Sequence, residues 1–158
     1  MANDVVEHVS KLDAFLANLR DWLAPEAVVY LEIPNGAHPP FVGKDGHHEL
    51  FGLTLLDFER GAAYLRALNP GGVYDTYNYF DLEGYRRAFE AAGLSLTLLP
   101  ETFEHVSLAS LEGQVEQLRA GAGEGLATVP ETLRPLVRER LQEYLGRVDA
   151  APRTTDGE

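Results

Sequence analysis

Ala2-Asn3-Asp4-Val5-Val6-Glu7-His8-Val9 is the stretch on which the fold of this chain turns. It joins a polar Asn-Asp pair to two β-branched residues and a Glu-His pair, the composition of a strand end running into a turn. A helix is expected at once. Ser10 stands as its N-cap with Asp13 three residues on, Leu12, Phe15, Leu16, Leu19 and Leu23 recur at helical spacing, and Pro25 is an apt stop. Ala27 to Ile33 is then a nearly continuous apolar run rich in β-branched residues, which reads as a strand buried on both faces in a parallel sheet, ended by Pro34-Asn35-Gly36. In open α/β sheets ligands sit beyond the carboxyl ends of the strands. If the two strands run parallel, Asn3, Asp4 and Asn35 share that rim.

Residues 36–54 are the least regular. Ala37-His38-Pro39-Pro40-Phe41 reads as extended, because each proline restricts itself and its predecessor, and Gly43-Lys44-Asp45-Gly46 as a turn. Asp57 is placed to cap a helix from Phe58 to about Leu68, with Ala62, Leu65 and Leu68 inward. Asn69-Pro70-Gly71-Gly72 breaks it. Val73 to Phe80 carries Tyr74, Tyr77 and Tyr79 around Asp75 and Asn78. Asp81 then caps a helix through Ala92, with Leu82, Tyr85 and Phe89 on one face, Gly93 at its C-terminal end, and an apolar strand from Leu94 to Leu99.

The order of these pieces resembles the class I S-adenosylmethionine-dependent methyltransferases. Many of them carry an Asp-Val-Leu-Glu-His-Val-like turn after the fourth strand, then a helix, a proline break and a fifth strand ending near Pro-Asn. They also carry an aromatic segment followed by a Phe-(Ser/Asp)-x-Glu-x-x-Arg-like helix closed by Ala-Gly, here Phe80-Asp81-Leu82-Glu83-Gly84-Tyr85-Arg86 through Ala92-Gly93-Leu94. The resemblance covers roughly residues 2–99 and implies an α/β fold: the C-terminal half of a Rossmann-like methyltransferase sheet with flanking helices, plus a helical C-terminal extension. The division expected is 1–100 for that half, with 36–80 as an acceptor-side insertion, 101–149 for the extension and 150–158 for a disordered tail. The family's glycine-rich turn and ribose-binding acid have no counterpart in the sequence. The resemblance therefore implies a methyltransferase partial domain, inactive as the isolated chain; the alternatives are a non-catalytic fragment that needs a complementing N-terminal polypeptide, and a decayed gene product.

The implied cofactor is S-adenosylmethionine, and by the resemblance Asn3, Asp4 and Val5 line its methionine end; the plainer reading of the same residues is an ordinary strand-to-helix turn. His8 is the candidate base for a hydroxyl or amine acceptor, since an imidazole titrates near neutrality; otherwise it orders the turn. Asn35, His47, His48, Tyr77 and Tyr79 are candidates for binding a small-molecule or glycan-like acceptor, because flat amphipathic side chains suit small organic ligands; half-buried packing is the alternative for the tyrosines. Asp4, Glu7 and His8 also match an acid-x-x-Glu-His pattern of ubiquinone-pathway O-methyltransferases, where such a cluster can hold a divalent cation. The spacing is short and common, so the assignment is a plain turn and no metal. His38, His47 and His48 lack the two-sided spacing of a structural zinc site.

Beyond Pro100, Leu108, Leu111, Val115 and Leu118 suggest a helix capped by Ser107 or Ser110, and after Pro130 a stripe of Leu133, Leu136, Val137, Leu141, Tyr144, Leu145 and Val148 marks another. Gly121-Ala122-Gly123-Glu124-Gly125 has no strand before it and reads as a flexible helix–helix connection rather than a nucleotide loop. Thr102 to Leu108 is a poor strand candidate. The arginines at 134, 138, 140 and 147 alternate with glutamates, as on a solvated face.

Composition bounds the rest. A chain of 158 residues with 45% hydrophobic content can bury a core. Its net charge of −12 repels phosphate backbones and anionic lipid, which disfavours nucleic acid and membrane surfaces as partners. The chain has no cysteine, which excludes disulfides and thiolate metal sites. With no apolar run of ~20 residues and no signal-peptide pattern, the cytoplasm is the expected compartment.

Overall fold

The computed structural model describes residues 1–99 and 108–151. Two short strands, β1 (Ala2–Asn3) and β2 (Leu31–Glu32), pair in parallel with Ala2 opposite Leu31 and Asn3 opposite Glu32. The helices are α1 (Leu12–Trp22), α2 (Pro39–Gly43), α3 (Phe58–Leu68), α4 (Leu82–Ala91), α5 (Leu108–Thr128) and α6 (Arg134–Ala150), with 3-10 turns at Val6–His8 and Leu53–Leu55. The described chain is mostly helical, with this small parallel sheet and a helical C-terminal part.

The helical readings hold where a cap and an apolar stripe coincide. The Asp57 carboxylate accepts from Arg60 N at 2.9 Å and that of Asp81 from Gly84 N at 2.7 Å, so α3 and α4 begin where the sequence places them. Gly93 follows α4 at φ 75°, a left-handed conformation that costs glycine little. Two details differ. Ser10 is not the cap of α1: Lys11 occupies that position, with no side-chain cap. In α3 Ala62 and Leu65 pack inward as expected, joined by Tyr64, while Leu68 is half exposed in the last turn.

The strand readings shrink. Asp4 turns away at φ 50°, so β1 offers a ladder only at residues 2 and 3. The apolar run from Ala27 has no regular structure before Leu31, pairs only at its end and leaves Val28 93% exposed, so it is not a strand buried on both faces. Leu94 to Leu99 likewise forms no strand, although Leu94 and Leu96 pack inward.

Two expected irregular segments are helical. Pro39 and Pro40 open α2 instead of extending the chain, because proline's fixed φ suits the first helical positions, where its missing N–H breaks no bond. The glycine-rich run 121–125 lies inside the continuous helix α5 and is no connection. At Gly125 a Cβ would come within 2.2 Å of the Phe51 ring, so glycine lets the helix backbone approach a buried aromatic. The strand considered from Thr102 onward and the Ser107 cap fall in residues 100–107, outside the described residues, as does 152–158; Leu108 opens α5, and Ser110 lies within that helix and does not cap it.

Two hydrophobic cores result. One joins Val6, Leu12, Leu16, Tyr85 and Phe89, from the first turn, α1 and α4. The other joins Val42, Phe51, Leu53, Tyr64 and Tyr74 to Leu118, Val137, Leu141 and Tyr144, so α5 and α6 share a core with residues 42–74. The Tyr144 hydroxyl donates to Ala37 O at 2.9 Å, and its burial pushes the phenol up to about 12.

The glycines of α5 separate packing from propensity. Gly121 and Gly123 face open space, with nothing within 4 Å of an added Cβ. Gly121→Ala and Gly123→Ala should each stabilise by about 0.4–1 kcal/mol. Gly125→Ala should destabilise, because overpacking of roughly 1–3 kcal/mol outweighs that gain. Urea unfolding of the three variants reads the difference in sign.

Candidate functional site

The first turn is held from across the chain. Glu7 O accepts from Tyr77 N at 2.7 Å and Asn78 N at 3.1 Å. The Asn78 side-chain amide donates to Val6 O at 3.0 Å and Val9 O at 2.7 Å. Asn78 is buried, and one amide thus satisfies two carbonyls of a turn that no sheet ladder covers. His8 is fixed by the same segment: its Nδ1 donates to Asp75 O at 3.2 Å.

A second clamp holds the loop after α2. Asp45 is 1% exposed, and its carboxylate accepts from His47 N at 3.0 Å, His48 N at 2.9 Å, Leu50 N at 2.7 Å and the Tyr79 hydroxyl at 3.0 Å. Burial first, and the Asp45 charge second, raise the Tyr79 pKa well above the usual phenol value, so Tyr79 is a donor at any physiological pH. The clamp sets the His47 ring at 4.8 Å from that of His8, edge to face, and at 5.8 Å from that of Tyr79.

Residues from three parts of the sequence therefore meet: Glu7 and His8 from the first turn, His47 from the Asp45 loop, and Tyr79 from the aromatic segment. The Glu7 carboxylate is fully buried, with Oε1 at 3.9 Å from His8 Nε2 and 3.8 Å from His47 Nε2. Tyr77 stacks on Phe58 at 4.3 Å and 10°. The two rings border a cavity of about 310 Å3 that also touches Thr54, Thr76 and Tyr79. His48 packs on Tyr74 at 5.2 Å. Asn3 and Asp4 are exposed at the carboxyl end of β1, Val5 follows them into the turn, and the Asn35 side chain accepts from Ala37 N at 2.9 Å. His38 lies apart from the cluster's contacts: its ring meets Phe41 at 5.5 Å, and burial lowers its pKa.

Three residues that build this arrangement, Asp45, Asp75 and Asn78, have no site role in the sequence reading. Asn78 carries a faint signal, a lone amide inside an aromatic run. Nothing in the spacing of Asp45 marks it beyond a turn.

A family model described as "Methyltransferase domain" matches residues 1–99. The chain belongs to the class I S-adenosylmethionine-dependent methyltransferases, whose members generally use that cofactor. No curated protein and no solved structure matches it. Among the described residues, no helix is long and apolar enough to cross a membrane.

The Asn78 clamp has a direct test. Asn78→Ala removes two buried hydrogen bonds and leaves the Val6 and Val9 carbonyls without that donor. It should cost roughly 1–3 kcal/mol in urea unfolding, and more than Asn35→Ala, whose side chain caps an exposed turn.

Proposed function

We propose that the chain serves in S-adenosylmethionine-dependent methyl transfer to a small-molecule or glycan-like acceptor. The observation that carries this reading is the meeting of His8, His47 and Tyr79 next to the rim where the parallel strands end, in a chain whose first 99 residues match a methyltransferase domain. The Asn3 and Asp4 side chains make no hydrogen bond among the described residues, which suits polar groups of a cofactor on that rim. Asp4 at φ 50° is a non-glycine residue in a sparsely populated conformation, of a kind that clusters at functional sites. In this reading Asn3, Asp4 and Val5 hold the methionine end of the cofactor, which supplies an electrophilic sulfonium methyl group.

The remaining work is alignment and proton removal. The cavity lined by Tyr77 and Tyr79 would bind the acceptor, with His47 beside Tyr79 at its edge, and present its oxygen or nitrogen for transfer. His8 Nε2 would take the proton that the acceptor loses on methylation, while the cofactor, held at Asn3, Asp4 and Val5, would supply the methyl group. The His8 Nδ1–H is committed to Asp75 O, which leaves the Nε2 lone pair free. Tyr79 stays protonated and donates to Asp45.

A second reading is favoured by exposed apolar side chains in the first third of the chain: Trp22 is 82% exposed and Val28 93%. Here the chain is a non-catalytic piece, and a complementing polypeptide covers these side chains and brings the other cofactor contacts. Cofactor binding by calorimetry and transfer of a radiolabelled methyl group to a panel of hydroxylated acceptors separate the two. Turnover by the chain alone supports the first reading, with His8→Gln lowering kcat by about 10²–10⁴-fold at unchanged cofactor affinity. Absence of cofactor binding and turnover by the chain alone supports the second.

A further inference from the structure

Glu7 presents a problem that the hydrogen-bond network leaves unsolved. The residue is fully buried, and neither carboxylate oxygen has a hydrogen-bond donor among the described residues. Buried carboxylates are otherwise paired, hydrogen-bonded or bound to a metal. The nearest polar groups are two imidazole nitrogens, His47 Nε2 at 3.8 Å and His8 Nε2 at 3.9 Å, both measured to Glu7 Oε1. These separations are too long for hydrogen bonds.

The tautomer of His8 sharpens the problem. Its Nδ1 lies 3.2 Å from Asp75 O, and a carbonyl oxygen only accepts, so the ring hydrogen is on Nδ1. A neutral ring then turns a lone pair at Nε2 toward the carboxylate. Two electron-rich groups face each other in a space from which protein donors are missing, and a cation between them would be attracted by both.

We propose that Glu7, His8 and His47 bind one divalent transition-metal ion of the zinc class. One ligand atom from each residue falls within 4.8 Å of the others. Donors bound at ~2.0–2.2 Å around a tetrahedral ion stand roughly 3.4 Å apart, so the two nitrogens need to approach the Glu7 oxygen by only a few tenths of an ångström. Two nitrogens and one oxygen suit zinc or iron(II) better than magnesium, calcium or manganese, which prefer oxygen. The ligands are also oriented from outside. The Asp75 carbonyl fixes the His8 ring, with the Asp75 carboxylate at 3.6 Å from Nδ1, and the Asp45 carboxylate fixes the backbone of His47.

The ligand set differs from the contiguous acid-x-x-Glu-His pattern of the sequence. Asp4 is exposed and contributes no atom to the cluster, and the third ligand comes from the Asp45 loop. The side chains of His8 and His47 are 33% and 28% exposed, so the outer coordination positions face solvent and a ligand can enter. On the methyl-transfer reading, an acceptor hydroxyl there would lose its proton more readily under the charge of the ion. His8 Nε2 would then be a ligand and not the base.

The test is metal binding by the untagged chain, stripped with a chelator, with neither cofactor nor acceptor present. Zinc titrated by calorimetry should bind at one equivalent per chain, and cobalt(II) at the same site should give the visible d–d bands of a low-coordinate complex. His47→Ala, at a partly exposed ring, should weaken zinc binding by at least about a hundredfold, beyond the ~10–100-fold that loss of an orienting outer partner costs. Glu7→Gln should do the same, and His38→Ala should bind zinc as the unmodified chain does. Failure of the stripped chain to bind zinc would overturn the proposal, and so would unchanged affinity in His47→Ala. Should Glu7→Gln not fold, the His47 variant still decides. Because the readout is the ion itself, a chain that binds zinc and transfers no methyl group refutes the enzyme reading alone, and one that transfers methyl groups without binding zinc refutes the cation site alone.

Discussion

The candidate site depends on one buried amide. Asn78 Nδ2 donates to Val6 O and Val9 O, while its backbone N–H reaches Glu7 O. A two-residue strand such as β1 cannot orient the turn that follows it. The orientation comes from this residue, some seventy positions later, whose buried side chain donates to two main-chain acceptors of the turn. The Tyr85 hydroxyl donates in turn to Asn78 O at 2.6 Å, so α4 holds Asn78 as Asn78 holds the turn. Asp45 plays the matching part for the loop that carries His47. Tyr79, one residue beyond Asn78, donates to Asp45 and joins the two clamps.

What the sequence reveals of the fold follows the range of the interactions. Asp57 and Asp81 cap their helices through bonds spanning three residues, and the stripes of α1, α3, α4 and α6 repeat within a few turns. Such signals survive in a single sequence. The failures involve partners elsewhere. Val28 looks like a buried strand residue, but burial needs neighbouring strands and the ladder stops at Asp4. Gly125 looks like a linker glycine, but its role is set by Phe51, far away in the chain. Pro39 and Pro40 mislead for a local reason: paired prolines are compatible both with extended chain and with a first helical turn, and packing of Val42 into the core favours the helix.

The site divides in the same way. Glu7 and His8 are visible as an adjacent pair, and the aromatic character of residues 74–80 is plain. That His47 and not His48 meets His8 is a matter of loop geometry, set by which backbone groups Asp45 binds. His48, one residue on, turns instead to Tyr74. No periodicity distinguishes the two histidines, since the choice is made by a buried carboxylate whose four donors are backbone amides and a distant phenol.

The position of the cluster between the two cores gives it a physical consequence of its own. Val6 belongs to the core of α1 and α4, whereas Tyr74 belongs to the core shared with α5 and α6. The segment from Tyr74 to Tyr85 is the seam, and Glu7, His8 and His47 lie along it. A side chain buried at a seam is stabilised by groups from both sides, so an unpartnered carboxylate there weakens the joint and not one core alone. Anything that binds Glu7, His8 and His47 together ties the first turn to the Asp45 loop. Its binding free energy then adds to the stability of the whole chain by mass action. Occupancy of the site and cohesion of the two cores are for this reason thermodynamically linked, and a ligand that prefers the joined state must, by the same linkage, bind more tightly when the seam is closed.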